Sequence, residues 1–209
     1  MKIISFYRGV LTTCAFVLSA HAGAAPVLLV DDNGILTGAK GVEVSGKLYN
    51  VTFADGTCAE LFNGCGPSTF AFRDRYSAEA AVYALFNQVL VDGPMGNFDS
   101  SPNKVRGCGN LYACSSLIPY DLLTSGGNTY VMLLAAFNHR FEYSQFGPND
   151  IVTGGGLLDR STADDEAINP RNYAIFELAP PPSSIPEPAS IALMGLAMAS
   201  LALTRRRKS

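Results

Sequence analysis

Between residues 25 and 179 apolar and polar positions alternate as they do in a folded domain. Val27 to Val30 is an apolar run closed by the turn signal Asp31-Asp32-Asn33-Gly34. Val42 and Val44 then lead through Ser45-Gly46 into residues 48–54, where Tyr49, Val51 and Phe53 alternate with Asn50 and Thr52. That period of two predicts a hairpin of half-buried strands. Residues 77–91 predict a helix. Ser77 is its N-cap and Glu79 lies in the first turn; Ala78, Ala81, Val82, Leu85, Phe86 and Val89 share one face, and Gly93-Pro94 supplies the stop. After a Gly/Asn/Pro-rich middle, the apolar run 129–137 suits a central strand. A turn at Asn138-His139 then leads into alternating residues 140–146, and 173–178 is a last strand. The expected fold is α+β, a mainly antiparallel sheet with one principal amphipathic helix. No internal repeat is visible, which excludes solenoids and propellers.

The two ends follow other rules. Lys2 and Arg8 precede the short apolar run 10–20, and the small residues Ala20, Ala22 and Ala24 form two overlapping cleavage motifs. Residues 1–24 therefore read as a secretory signal peptide, a signal helix that a signal peptidase removes after entry through the Sec translocon. At the other end Pro180-Pro181-Pro182-Ser183-Ser184 is a stiff spacer. Residues 185–209 follow as a sorting and anchor segment: Ile185 and the triplet Pro186-Glu187-Pro188, an uncharged apolar stretch 189–203, then Arg205, Arg206, Arg207 and Lys208. Fifteen helical residues rise about 22 Å, short of the roughly 30 Å hydrocarbon core. The C-terminal hydrophobic helix is thus a marginal transmembrane span, with the basic cluster as its cytoplasmic stop and the domain outside.

The triplet, the following Ala189-Ser190, the Gly/Ala/Leu/Met-rich stretch and the terminal basic run together resemble the PEP-CTERM sorting signal. That signal occurs on proteins of Gram-negative bacteria that make extracellular polysaccharide. The resemblance implies processing at or near Pro186, Glu187 and Pro188 by exosortase, a membrane enzyme with a proposed cysteine nucleophile. Residues 48–53, the segment Asp55-Gly56-Thr57-Cys58 and the helix ending near Asp92-Gly93 also resemble an ectodomain that recurs with this tail. No chemistry is assigned to that ectodomain.

Composition supports three segments around one domain. The chain has five cysteines, and the signal segment takes Cys14, leaving Cys58, Cys65, Cys108 and Cys114. Four cysteines in an exported chain read as two disulfides. Three connectivities are open, and the local pairs are favoured because each brackets a short Gly-rich loop. Zinc is disfavoured, since the spacings do not match its knuckles and only His139 remains in the mature chain. The domain keeps nine basic and seventeen acidic residues, a net charge near −8. Such a balance excludes a nucleic-acid binder.

The remaining chemistry is sparse. His139 reads as a turn residue, and Gly154-Gly155-Gly156 as a loop without the Lys-Ser/Thr of a P-loop. No nucleophile elbow is present. Asp31 with Asp32, and Asp164 with Asp165 and Glu166, read as solvated loops, with weak calcium binding as the alternative. No cofactor is expected. The leading expectation is an exported, non-enzymatic protein held transiently in the inner membrane. It would then be released to the cell surface or matrix, structural or adhesive in a biofilm polysaccharide setting. The alternatives are a polysaccharide-binding or calcium-dependent module, with exposed aromatics on one sheet face or converging acidic loops, and, more remotely, a secreted hydrolase.

Overall fold

The computed structural model describes residues 25–140, 151–157 and 171–180. The signal segment and the C-terminal segment, with the two flanking helices expected there, lie outside the described residues. Strand β1 (Val27–Val30) turns into β2 (Leu36–Val44), which turns at Ser45-Gly46 into β3 (Lys47–Ala54). In the first turn the Asp31 carboxylate accepts the N–H groups of Asn33 at 2.9 Å and Ile35 at 3.0 Å. In the second, Ser45 and Gly46 have φ of 50° and 79°, the left-handed pair that matches strand twist.

Helix α1 (Cys58–Leu61) opens with a reciprocal capping box. The Thr57 hydroxyl accepts the Glu60 N–H, and the Glu60 carboxylate accepts the Thr57 N–H at 2.9 Å. The principal helix, α2, spans Arg75–Gln88. It starts three residues earlier than the sequence suggests, because Asp74 rather than Ser77 is the N-cap: its carboxylate accepts the Ser77 N–H at 2.9 Å and the Ser77 hydroxyl at 2.7 Å. That shift moves Glu79 out of the first turn. The helix also stops before Gly93. Val89 leaves helical geometry at φ −121°, and a two-way clasp ties Gln88 to the Glu43 backbone at 2.8 and 2.9 Å.

A small ribbon follows, β4 (Asp92–Gly93) with β5 (Gly96–Asn97). Then come β6 (Ala113–Ser125), β7 (Asn128–His139), β8 (Ile151–Leu157) and β9 (Arg171–Leu178). The main sheet has the order β1-β2-β3-β9-β6-β7-β8. Every pair is antiparallel except β6 with β9. The expectation of a mainly antiparallel sheet therefore holds. The last strand in sequence sits in the middle, pairing β3 on one side and β6 on the other. It welds two antiparallel halves that chain order alone would leave apart.

The middle of the sheet is covered on both faces. Val51, Phe53, Ile118, Leu134 and Phe176 point to the layer formed by α2, whose Ala78, Ala81, Val82 and Leu85 face them. At about 21 Å long, α2 reaches from β2 across to β7 and β8. On the other face Leu117, Leu133, Ala135 and Tyr173 pack under the segment carrying Cys58, Phe62, Cys65 and Phe70. There Phe62 meets Phe70 and Tyr173 edge-on, with ring centres 5.5 and 5.4 Å apart.

Acid sensitivity follows from the two caps. Hydrogen bonds from Thr57 hold the Glu60 carboxyl below its ordinary value, and those from Ser77 do the same for Asp74. Lowered folded values mean stability that is present above the unfolded values and lost as pH falls through the folded ones. Asp74→Asn keeps a competent cap but removes its titration. The variant should show a shallower fall of Tm on acidification than the parent, checked by thermal melts across the acid range.

Candidate functional site

The two disulfides are closed between near neighbours in sequence: Cys58–Cys65 with Cα atoms 5.2 Å apart, and Cys108–Cys114 with Cα atoms 5.6 Å apart. The first pins the segment that roofs one sheet face. The second fixes the entry to β6 and presents Leu111 and Tyr112 to solvent. Pro186, Glu187 and Pro188, the basic run Arg205–Lys208, and Ala20, Ala22 and Ala24 lie outside the described residues. So do Asp164, Asp165 and Glu166.

Two readings of single residues change. His139 is not in a turn: β7 continues through it, opposite Ala113 of β6, and its ring lies 5.8 Å from that of Phe137. The strand persists because Asn138 is itself buried and bonded rather than turning. Gly154-Gly155-Gly156 is not a loop but the middle of β8, paired with Leu134, Leu133 and Met132. A side chain at Gly154 would come within 2.9 Å of Leu134, so glycine lets this edge strand lie flat against β7. Asp31 is occupied by its turn. Among the described residues no three His, Cys, Asp or Glu side chains gather as a metal site.

What the structure does bring together is a polar patch at the end of the sheet where β6 and β9 begin. Asn138 and Asn172 are about 1% exposed. The Asn138 amide donates to the Phe98 carbonyl at 2.7 Å, and the Asn172 amide to the Arg106 carbonyl at 2.6 Å and the Cys108 sulfur at 3.3 Å. These bonds staple the irregular segment 92–112 to the sheet. Neither Oδ1 finds a donor among the described residues, at a desolvation cost of about 1–3 kcal/mol each. Gly107 is required here: its φ is 79°, and a Cβ would stand 2.9 Å from that of Asn172. Nearby, burial and then the charge of Asp92 raise the Asp99 carboxyl above its ordinary value. Asp92 itself accepts the N–H groups of Asp99 and Ser100 at 3.0 and 3.1 Å. Chemically this is a brace.

Exposed aromatics occur, but on α2 and on the second disulfide loop rather than on a sheet face. Tyr76 is 83% exposed and Tyr83 50%. The face of β3 that stays open carries Leu48, Asn50 and Thr52, none of them aromatic. Sequence reasoning followed the buried face of α2 and passed over these two. Their seven-residue spacing, off the apolar stripe, is the signal that marks them.

The position of β9 bears on the tail. Its last residue, Leu178, pairs with Tyr49, and the Ala179 N–H donates to the Leu48 carbonyl at 2.8 Å. Pro186 stands eight positions after Leu178 in sequence. The tail therefore follows the central strand after the short spacer 180–184. Among the described residues no helix is long and apolar enough to cross a membrane. No curated protein and no solved structure matches the chain. Residues 184–208 do match a family model, the PEP-CTERM protein-sorting motif, and on that match the chain is identified as one that carries the PEP-CTERM sorting signal.

Proposed function

We propose that this is a non-enzymatic exported protein whose domain is delivered to the cell surface or extracellular matrix, where it serves a structural or adhesive role among polysaccharides. The observation that carries this reading is the sorting motif at 184–208, which marks the chain as an exported substrate of an exosortase-type enzyme. Entry by the Sec translocon accounts for the signal-like residues 1–24. The rest of the molecule is suited to the setting. Two disulfides, a sheet roofed on both faces at its middle and a central C-terminal strand make a domain that withstands dilution outside the cell. Buried amides staple the irregular segment 92–112, which is how a durable scaffold treats a loop.

The reading is tested in a host whose exosortase is inactivated. The protein should then accumulate as a membrane-bound precursor retaining residues 189–209, seen by fractionation and C-terminal peptide mapping. Normal loss of that segment in the inactivated host would overturn the processing route.

A further inference from the structure

Exposed leucines stand where the chain leaves the domain. Leu178 ends the central strand and is 65% exposed, while Leu123 of β6 is 50% and Leu48 of β3 is 44% exposed. The register places them at one end of the sheet. Leu178 pairs with Tyr49, the neighbour of Leu48. Strand β6 runs parallel to β9 with Leu117 opposite Tyr173, and Leu123 and Leu178 lie six and five residues further on. Because β9 lies between β3 and β6, the three leucines span two strand spacings, about 10 Å. The turns at Ser45-Gly46 and Gly126-Gly127 close the same end. Residues 123–128 are all exposed and none is charged, and between 44 and 48 the only charge is that of Lys47. A domain with a net charge near −8 thus keeps carboxylates off these tips. At the opposite end Leu111 is 51% exposed, but exposed Asp92 and Asp99 belong to the same segment.

We propose that this end of the sheet rests on the lipid headgroup layer while the tail is attached, with Leu48, Leu123 and Leu178 dipping into the interface. The contact rests on the membrane stage that the sorting tail implies. Chain length argues for lipid as the occupant. The apolar stretch begins at Ala189, and the residues 180–188 before it reach at most about 30 Å. Ala179 adds nothing to that tether, since its N–H is held by the Leu48 carbonyl. With 189–203 in the bilayer, these tips are the part of the domain tethered nearest to lipid. Composition argues the same way. Leucines enter the interface favourably, Lys47 can meet phosphates, and tips free of carboxylates are not repelled by anionic lipid. So few apolar side chains do not anchor a protein by themselves, so the contact lapses when the tail is cut and does not oppose release.

The chain has no tryptophan, so a single introduced one is a clean reporter. The precursor spanning residues 25–209, carrying Leu178→Trp, Leu123→Trp or Leu111→Trp, would be reconstituted into vesicles of phosphatidylethanolamine and phosphatidylglycerol. Their acyl chains would be plain or brominated. All three variants should float with the vesicles. Bromination should remove about half of the emission at positions 178 and 123 and none at 111, and adding Leu48→Glu should roughly halve that quenching. Each substituted side chain is exposed, so the variants should keep the parent Tm. Flotation without quenching, quenching at 178 alone, equal quenching at 111, or quenching indifferent to Leu48→Glu would each overturn the proposal and leave the anchoring by the tail standing. So would blue-shifted emission at 178 and 123 that dilution abolishes and bromination leaves unchanged, which assigns this end to a second copy of the chain. A precursor that fails to float overturns the proposal together with the anchoring on which it rests.

Discussion

Phe53→Ala should lower the unfolding free energy by about 3–5 kcal/mol, the range for removing a large aromatic side chain from a packed interior. Phe53 is fully buried on β3, where it pairs with Ala174 of the central strand. Its ring belongs to the layer between the sheet and α2. A residue as small as Ala174 opposite cannot move in to fill the space, so the cavity persists. Phe53→Leu keeps more volume and should cost clearly less. Denaturant unfolding of the three proteins with the disulfides intact checks the order. Equal stability of Phe53→Ala and parent would contradict the two-layer packing described here.

Replacing Cys58 and Cys65 together by serine should cost about 2.5 kcal/mol, and Cys108 with Cys114 a similar amount, from the entropy that each short loop regains on unfolding. The pairs are far apart in sequence and serve different parts of the fold, so the two losses should roughly add. Their local effects should differ. Cys65 is completely buried against Phe62 and Tyr173, so losing the first bond loosens the roof over Leu133 and Ala135 and leaves hydroxyls in an apolar layer. Losing the second frees the entry to β6, while Asn172 still holds the Arg106 carbonyl. Hydrogen exchange should therefore show faster exchange at residues 58–70 in the first variant and at 105–114 in the second. Uniform acceleration across the domain in both would contradict separate roles.

The half of the fold most legible in sequence is the half that obeys simple periodicity. Residues 48–54 alternate because one face of β3 meets α2 and the other is largely open, and 129–137 is continuously apolar because β7 is roofed on both faces. Strand β6 escaped notice for a physical reason. Pro119 has no N–H to donate, and Ser115, Ser116 and Asp121 interrupt any apolar run. The sheet accommodates the proline through a register shift between Pro119 and Asp121. Its hairpin signal was present in Gly126-Gly127, both at positive φ. Asn138 resembles a turn residue in one dimension because a buried amide bonded to a distant carbonyl leaves no local mark. Gly154 to Gly156 form a strand without any strand-forming side chain, held by pairing to β7 alone.

The functional parts divide the same way. A sorting tail is a linear signal, read by an enzyme residue by residue, so its triplet, apolar stretch and basic run are all visible in order. The disulfides were visible as short spacings in an exported chain. The exposed tyrosines of α2 and the Asn138 and Asn172 brace depend on which side of an element faces out and on what folds back over it. Those properties belong to the packed chain.

The most direct test of the central claim, that this is an exported domain released from a PEP-CTERM tail, is the intact mass of the protein recovered from the surface or medium of its native host. The account predicts a chain lacking residues 1–24, ending at or near Pro186-Glu187-Pro188, and lighter by four hydrogen atoms for its two disulfides. A recovered protein that still ends at Ser209 would contradict it.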